Sequence, residues 1–260
     1  MTTLFQQHLT IALIARNEAL MLPDFFKSHA FTPNVILYDD FSTDNTAAIA
    51  KAHGATVIPA TIESRDFSFK RNIIHKKITT RWVLWLDADE RITTEALRDL
   101  EALLLSPSPP AGVRFRMQHY FLGQKMRGRH WLGWKGVRFA EVAASQWVGA
   151  VHEKLEVDGK VADVLPPLQH LGDLNYRERA EKSLRYNLLE IERMPKKPSF
   201  AAVLLRPVIA MLRYYLLNFG FIDGKAGLIF ALHIYVAFFQ RYAMRYTEEP
   251  NTQSPLPKAP

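Results

Sequence analysis

Two carboxylates that follow a strongly apolar segment are the feature of this sequence best suited to chemistry. The segment from Trp82 to Leu86 leads directly into Asp87-Ala88-Asp89. Alternate residues of a β-strand project to the same side, so Asp87 and Asp89 are expected to point together from the end of a buried strand. Their oxygens suit a hard divalent cation such as Mn2+ or Mg2+, which also binds phosphate oxygens. Alone, the pattern is equally compatible with an acidic turn between a strand and a helix.

Two more polar clusters follow apolar runs earlier in the chain. The first run ends in Ala15-Arg16-Asn17-Glu18, and the second ends in Asp39-Asp40. Carboxylates at the carboxyl ends of parallel strands can accept hydrogen bonds from ribose hydroxyls or from a base imide. The sequence contains neither Gly-x-Gly-x-x-Gly nor a P-loop, so a dinucleotide or Walker-type phosphate site is excluded. A bound phosphate would then need the metal.

The elements that must position these clusters alternate between strand and helix. This alternation predicts an α/β fold: a Rossmann-like, mostly parallel sheet with helices on both faces. The predicted strands cover residues 10–15, 35–39, 56–58 and 82–86, and the predicted helices cover residues 20–29, 42–53, 68–78 and 93–105.

The second half of the chain has a mixed pattern that becomes helical. Residues 113–121 alternate like a strand, and residues 154–164 predict a hairpin that turns at Asp158-Gly159. From Asn175 onward the pattern is helical, and the last residues are rich in proline. We therefore predict a catalytic domain at residues 1–174, a basic, apolar helical extension at 175–247, and a disordered tail at 248–260.

The charge of the chain is concentrated in that extension. Of the net charge of +7, residues 176–246 carry all of it, with 12 Lys and Arg against 5 Asp and Glu. A basic segment needs an acidic partner. The apolar runs of this segment (201–219 and 226–245) are interrupted by arginine. This combination favours helices that lie on an anionic membrane surface. Neither run has the charge-free ~20 residues of a spanning helix. The alternative is that these helices pack on the catalytic domain. Nucleic-acid binding is disfavoured because the aromatic residues lie in apolar runs.

The motifs together resemble the family 2 glycosyltransferases, which have the GT-A fold. Ala15-Arg16-Asn17-Glu18, Asp39-Asp40-x-Ser42-Thr43-Asp44 and Asp87-Ala88-Asp89 occur in that family's order and spacing. The segment from Asp66 to Asn72 is similar to the helix whose Arg-Asn pair approaches the nucleotide sugar. Phe41 departs from the pattern, because the family usually has glycine there.

The second half resembles the branch that includes the lipopolysaccharide-core β-glucosyltransferases. The similar segments are Trp147-x-Gly149-x-Val151-His152-Glu153, His170, and the run from Phe221 to Gly227. The resemblance implies Glu153 as catalytic base, with His152 as an orienting neighbour. It implies a metal held by Asp87, Asp89 and His170. It also implies these nucleotide-sugar contacts: Ala15, Arg16, Asn17, Glu18, Asp39, Asp40, Arg71, Asp87 and Ala88.

The resemblance implies an inverting enzyme that uses Mn2+ or Mg2+. It would move a hexose, glucose by analogy, from a UDP-sugar to a hydroxyl of a lipid-linked glycan, in the heptose region of lipopolysaccharide core. The enzyme would be a peripheral membrane protein at the cytoplasmic face of the inner membrane. Its basic loop 125–135 would face a phosphorylated acceptor. Two alternatives stay open: a polyprenyl-phosphate sugar synthase, and an inactive membrane adaptor on a glycosyltransferase scaffold.

Some of these residues also have a purely structural interpretation. Asp44 is placed to cap the helix that follows it. His170 could be a hydrogen-bonded core histidine, and Arg71 could belong to a solvated helix face.

Overall fold

The computed structural model describes residues 3–64, 66–133, 135–149, 153–172, 175–192, 194 and 196–248, which form two compact units. The first unit contains residues up to 120 together with 133–172, and the second contains residues 121–132 together with the chain after 172. The sequence-based division put residues 121–132 in the catalytic domain, whereas the structure groups them with the C-terminal helices. The predicted tail lies outside the described residues beyond Glu248.

The first unit is built on a mixed β-sheet. Neighbouring strands follow the order β3-β2-β1-β4-β8-β6-β11-β5, and β9 and β10 form a separate pair. The strands are β1 (Leu9–Ala15), β2 (Val35–Asp39), β3 (Thr56–Pro59), β4 (Trp82–Trp85), β5 (Glu90–Ile92), β6 (Gly112–Phe121), β8 (Lys135–Glu141), β9 (Ser145–Val148), β10 (Lys154–Val157) and β11 (Val161–His170), while β7 (Gln124–Lys125) falls in the second unit.

The parallel half of the sheet forms as the sequence predicts. Strand β1 lies between β2 and β4 and is parallel to both, and β3 is parallel to β2. All four residues of β4 are buried, and β1 is buried at every residue except Ile14, which is half-buried. Near-continuous apolar runs of this kind are typical of strands covered on both faces. The carboxyl ends of β1, β2 and β4 therefore meet at one edge of the sheet.

Helices of the first unit connect these strands, and their starts follow ordinary capping chemistry. Thr93 accepts a hydrogen bond from the Ala96 N–H (3.1 Å), which confirms the predicted start of α5. Asp66 caps α4 in the same way through the Phe69 N–H (3.0 Å). The helices are α1 (Thr3–His8), α2 (Leu22–Ser28), α3 (Thr46–Ala52), α4 (Phe67–His75) and α5 (Thr94–Leu104), with a 3-10 turn at Val142–Ala144.

The predicted hairpin at residues 154–164 is wrong. Strand β10 pairs with β9, whereas β11 pairs with β6 in parallel and with β5 in antiparallel orientation. The chain bends at Asp158-Gly159, but the strands on the two sides of the bend bury their apolar residues in different places. Leu155 packs beside Trp147 and Trp85, and Leu168 joins the main core. Burial against distant partners has outweighed the local turn signal.

The second unit is helical, as predicted from Asn175 onward. Phe121 and Met126 pack with Tyr214 and Phe230 in its core, so the segment before Leu132 is part of this unit. Its elements are 3-10 turns at Arg129–Trp131 and Gly220–Asp223, a π-helical turn at Arg213–Leu217, and the helices α6 (Tyr176–Glu192), α7 (Phe200–Leu212) and α8 (Gly224–Thr247).

The motif from Phe221 to Gly227 has a structural role in this unit. The buried Asp223 carboxylate accepts hydrogen bonds from the N–H groups of Arg127 (2.6 Å) and Gly128 (3.1 Å). A Cβ atom on Gly227 would lie 1.9 Å from the carbonyl oxygen of Gly220, so only glycine allows this contact. The motif thus ties the segment 121–132 to the start of α8.

Two windows of the second unit, Phe200–Leu217 and Gly220–Thr247, are long and apolar enough to cross a membrane, judged by length and composition alone. From the sequence, the arginines in these runs are expected to rule out a spanning helix. Both windows nevertheless keep the length and mean hydropathy of one. Only 17% of the first window and 39% of the second is buried. Both helices therefore leave much apolar surface exposed.

Candidate active site

The ends of β1 and β2 are joined by a network of short hydrogen bonds. Ala15 pairs with Asp39 in the sheet, and the Asp40 N–H donates to the Ala15 carbonyl (2.8 Å). Asn17 has a positive φ of 58°, and its side-chain oxygen accepts the Thr43 N–H (2.8 Å). The Glu18 N–H donates to the Thr46 hydroxyl (2.8 Å). These predicted nucleotide-sugar residues therefore hold the two strand-end loops against each other.

Asp44 belongs to the same network and lies one residue before the N-cap position of α3, which Asn45 occupies. Its two carboxylate oxygens accept the N–H groups of Thr46 (2.9 Å) and Ala19 (3.2 Å). Although burial opposes the effect, the hydrogen bonds from Thr46 and Ala19 hold the pKa of Asp44 below its usual value. Asp44 thus fastens the loop after β1 to the start of α3.

The departure at Phe41 has a conformational meaning. Phe41 has a φ of 57°, a left-handed conformation that favours glycine. This explains why a glycine suits the position, and a phenylalanine there is strained by roughly 1 kcal/mol. Phe41 lines a cavity of about 390 Å³, whose other lining residues are Arg16, Asp40, Glu63, Ser64 and Lys70.

Lys70 is a residue of this cavity that the sequence did not indicate. Its ammonium lies 2.6 Å from a carboxylate oxygen of Asp40, and both residues are buried. A buried charge needs an opposite charge beside it, and Lys70 and Asp40 provide this for each other. Next to this pair, Oδ1 of Asp39 is buried and has no hydrogen-bond partner among the described residues. Of these two carboxylates, that of Asp40 lines the cavity, and the nucleoside hypothesis stays a prediction.

A second cluster, at the end of β4, is centred on Asp87. One guanidinium nitrogen of Arg71 lies 3.7 Å from Oδ1 of Asp87, and one of Arg138 lies 3.7 Å from Oδ2. Both arginines are buried, so Arg71 is not on a solvated helix face. Burial lowers the pKa of Arg71, an effect that Asp87 and Glu153 oppose. Asp87 is the more exposed partner, with 42% of its side chain accessible.

Arg71 also connects Asp87 to the predicted base. The same guanidinium nitrogen lies 3.6 Å from Oε1 of Glu153. The guanidinium stacks over the Trp147 ring at 4.2 Å, and its Nε has no hydrogen-bond partner among the described residues. Val151 and His152, the residues before Glu153, lie outside the described residues.

The side-chain amide of Asn72 and the carbonyl of Ala88 are both hydrogen-bonded to other residues of the chain. The Asn72 amide donates to the Trp147 carbonyl (2.9 Å) and accepts the Trp147 N–H (3.2 Å). This pair of bonds fixes β9 to α4, so Asn72 positions the Trp147 ring that supports Arg71. The Ala88 carbonyl accepts a hydrogen bond from Arg91 (2.8 Å).

Glu90 and Arg138 were also missed by the sequence analysis. Glu90 is 1% exposed and accepts hydrogen bonds from Arg138 (2.8 Å) and from the Asp87 N–H (2.9 Å). Burial raises the pKa of Glu90 to about 7, although Arg138 opposes the rise. Glu90 directly follows the acidic motif, but Arg138 lies far along the chain, and no spacing rule connects the two.

Asp89 and His170 form the other half of the predicted metal site. Nε2 of His170 lies 3.2 Å from Oδ2 of Asp89, and its Nδ1 lies 3.1 Å from Nδ1 of His119. Burial alone would lower the pKa of His170, but the hydrogen bond and charge of Asp89 outweigh it and raise the pKa. Within the described part of the chain, no group of three or more His, Asp or Glu side chains converges closely enough to hold a metal.

The donor atoms nevertheless fit a divalent cation. Asp89 Oδ2 and His170 Nε2 are close enough to be neighbouring ligands of one ion, and a mixed oxygen and nitrogen set suits Mn2+. A ligating histidine usually donates its other N–H to an outer partner, and His119 is in that place. Asp87, the third predicted ligand, is two residues from Asp89 and has ion-pair contacts of 3.7 Å with Arg71 and Arg138.

Comparison with known proteins gives the class of the chain. A family model described as glycosyl transferase family 2 matches residues 10–138, which include all three acidic strand ends. The chain is 24% identical over 265 residues to the lipopolysaccharide core biosynthesis glycosyltransferase LpsC of Rhizobium meliloti (strain 1021), covering 95% of this chain and 97% of that protein. The chain therefore belongs to the family 2 glycosyltransferases, and it is an enzyme with the GT-A fold predicted from the sequence.

Solved structures with a related architecture have low sequence identity. TarS 1–349 of S. aureus, in complex with UDP, aligns with a TM-score of 0.49 at 12% identity, over 92% of this chain and 90% of that chain. Glucosyl-3-phosphoglycerate synthase of Mycobacterium tuberculosis, in complex with Mn2+, UDP and glucosyl-3-phosphoglycerate, aligns with a TM-score of 0.46 at 14% identity, over 74% and 82%. The fold assignment rests on the family match and the strand order.

Proposed function

We propose that this glycosyltransferase moves a hexose, glucose by analogy, from a UDP-sugar to a hydroxyl of a lipid-linked glycan, with inversion. The observation that carries the proposal is the Arg71 guanidinium, which lies within 3.7 Å of both Asp87 and Glu153. A group suited to the donor diphosphate is thereby next to a group suited to activating the acceptor. The similarity to LpsC over nearly its whole length supports an acceptor in lipopolysaccharide core, in its heptose region.

On the donor side, the chain would supply hydrogen-bond acceptors for the nucleoside and a positively charged side chain, Arg71, for the diphosphate. The unpartnered Oδ1 of Asp39 and the carboxylate of Asp40 would accept hydrogen bonds from the base or ribose, and Arg16 lines the same cavity as Asp40. The loops held by Ala15, Asn17 and Glu18 would give this pocket its shape. Arg71 would bind the diphosphate through its guanidinium, which has an unused buried N–H.

On the acceptor side, Glu153 would act as general base. Its carboxylate would take the proton of the acceptor hydroxyl as that oxygen forms its bond to the anomeric carbon and the bond to the diphosphate breaks. Asp87, Asp89 and His170 would hold Mn2+ or Mg2+, which neutralises charge on the departing nucleoside diphosphate. His119 would fix the orientation of the His170 ring.

The first test is calorimetric titration of the protein with UDP-, GDP- and ADP-hexoses, with Mn2+ and then with EDTA. We expect heat for one UDP-hexose in Mn2+ and its loss in EDTA. The other nucleotides serve as controls for general phosphate binding. Failure to bind any of them would contradict the proposal and favour an inactive scaffold.

We also propose that the second unit binds an anionic leaflet, as a peripheral protein at the cytoplasmic face of the inner membrane. Helix α7 exposes large apolar side chains, including Leu205 (58%) and Ile209 (60%), while it buries Val203 and Pro207. Arg206 and Arg213 lie among them. An exposed apolar face with neighbouring arginines is the composition of an interfacial helix.

Replacing both Leu205 and Ile209 with glutamate is expected to weaken binding to vesicles that contain anionic lipid by at least about tenfold. Sedimentation with anionic and with neutral vesicles measures the effect. Leu184→Glu is the matched control, because Leu184 is exposed (42%) on the more polar helix α6. Binding to neutral vesicles that resists high salt would contradict peripheral attachment and favour a helix that crosses the bilayer.

A further inference from the structure

The buried carboxylate of Glu90 holds the backbone of the metal-binding motif. Its Oε2 accepts the Asp87 N–H at 2.9 Å, which closes the tight turn between β4 and β5. Glu90 is 1% exposed, so water does not compete for this bond. The direction in which Asp87 leaves the strand end therefore depends on a side chain three residues later.

Arg138 supplies the opposite charge that allows Glu90 to be buried. One of its terminal nitrogens donates to Oε1 of Glu90 at 2.8 Å, and a contact to Asp87 is longer, at 3.7 Å. The first is a charge-assisted hydrogen bond, and the second is an ion pair without one. Arg138 is therefore held mainly by Glu90, and its contact with Asp87 is the weaker of the two.

Glu90 also connects the motif to the strand that carries His170. Strand β5 begins at Glu90, and its pairing with β11 places Glu90 opposite His170. In the same turn, the Leu171 N–H donates to the Asp89 carbonyl at 2.8 Å. One buried residue is thus linked to the Asp87 backbone, to Arg138 and to the strand of His170.

We propose that Glu90 and Arg138 are positioning residues that set the spacing of Asp87, Asp89 and His170 for a shared divalent cation. The inference rests on the proposed metal-dependent transfer and adds two residues to it. Neither residue touches the cation. Outer partners of this kind typically contribute about 10- to 100-fold to metal affinity.

The test measures binding of Mn2+ to the full chain in the presence of UDP. The electron paramagnetic resonance signal of free Mn2+ reports how much of the ion remains unbound. Glu90→Gln is expected to weaken Mn2+ binding by about 10- to 100-fold, because a neutral amide holds the Asp87 N–H less strongly than the carboxylate does, with or without Arg138 beside it. Glu141→Gln is the matched control: Glu141 ends the strand of Arg138 and pairs with Arg81 at 2.9 Å on the surface. It is expected to leave Mn2+ affinity within about twofold of the original chain.

A second variant separates positioning from stability. Glu90→Gln alone leaves a buried arginine without its main counter-charge and is expected to lower the melting temperature. The double variant Glu90→Gln with Arg138→Met removes both charges, so it is expected to regain stability but not Mn2+ affinity. A merely structural role would restore both together.

The outcomes distinguish this inference from the proposed function. Weaker Mn2+ binding in both folded variants, with the control unchanged, supports the positioning role. Unchanged Mn2+ affinity in either folded variant overturns it while leaving metal-dependent transfer in place. If the original chain binds no Mn2+ with UDP and turns over in EDTA, the metal assignment fails, and this inference fails with it.

Discussion

Replacing Asp89 with asparagine is expected to abolish sugar transfer, with kcat reduced by roughly a thousandfold or more. The amide can still accept a hydrogen bond from Nε2 of His170, now 3.2 Å from the carboxylate, but it no longer supplies the negative charge that binds a cation. The Asp89 side chain is only partly buried, at 18% exposure, and its carbonyl still binds the Leu171 N–H. The variant should therefore keep its fold.

This prediction is checked by steady-state kinetics with a UDP-hexose, alongside circular dichroism and thermal melting. Asp163→Asn provides the control, because Asp163 lies on the strand of His170 and pairs with Arg114 at 3.5 Å on the surface. That variant should retain full activity. Turnover by a folded Asp89→Asn protein at the original rate would remove Asp89 from the metal site.

The parallel half of the fold could be predicted because its information is local. Strands β1, β2 and β4 are short apolar runs, and the polar residues of the site begin at the end of each strand or shortly after it. Parallel neighbours joined by helices leave few alternatives for where these ends lie. The edge of the sheet that carries Asp39, Asp40 and Asp87 could therefore be predicted from the order of apolar runs and helices along the chain.

The antiparallel half could not be predicted in the same way. Strand β11 pairs with β6 and β5, which are far away in the chain, and β10 pairs with β9. The Asp158-Gly159 turn satisfied a local rule, and that rule does not say which strands will bury the neighbouring apolar residues. As a result, no local pattern indicated that β5 exists or that Glu90 begins it.

The site shows the same division. Asp40 and Asp87 could be singled out as candidates from motifs, but their counter-charges Lys70 and Arg138 could not. A basic residue becomes a counter-charge only when the fold buries it beside a carboxylate, as at Lys70 and Asp40. Asn72 belongs to the segment that resembles the family's Arg-Asn helix, and in the structure its amide holds the Trp147 backbone. Residue type alone did not separate these roles.

Replacing Glu153 with glutamine is expected to reduce transfer to a hydroxyl acceptor by about 10²- to 10⁴-fold, with donor binding unchanged. Glutamine keeps the size of the side chain beside Arg71, 3.6 Å away, but it cannot take the acceptor proton. The cation and the nucleoside are proposed to bind through other residues. The loss should therefore fall on kcat and leave the affinity for the UDP-hexose intact.

The same substitution separates the two enzymatic hypotheses, because a phosphate acceptor carries no proton that a base must remove. Transfer is compared with a core-glycan acceptor and with a polyprenyl phosphate, using Glu156→Gln as the control on the exposed side of β10. A polyprenyl-phosphate synthase would be spared by Glu153→Gln, whereas a hydroxyl-directed enzyme would lose its activity. Full transfer to the glycan hydroxyl by the variant would exclude Glu153 as base. The base would then have to be sought among the other acidic groups near Arg71, with Asp87 the nearest at 3.7 Å.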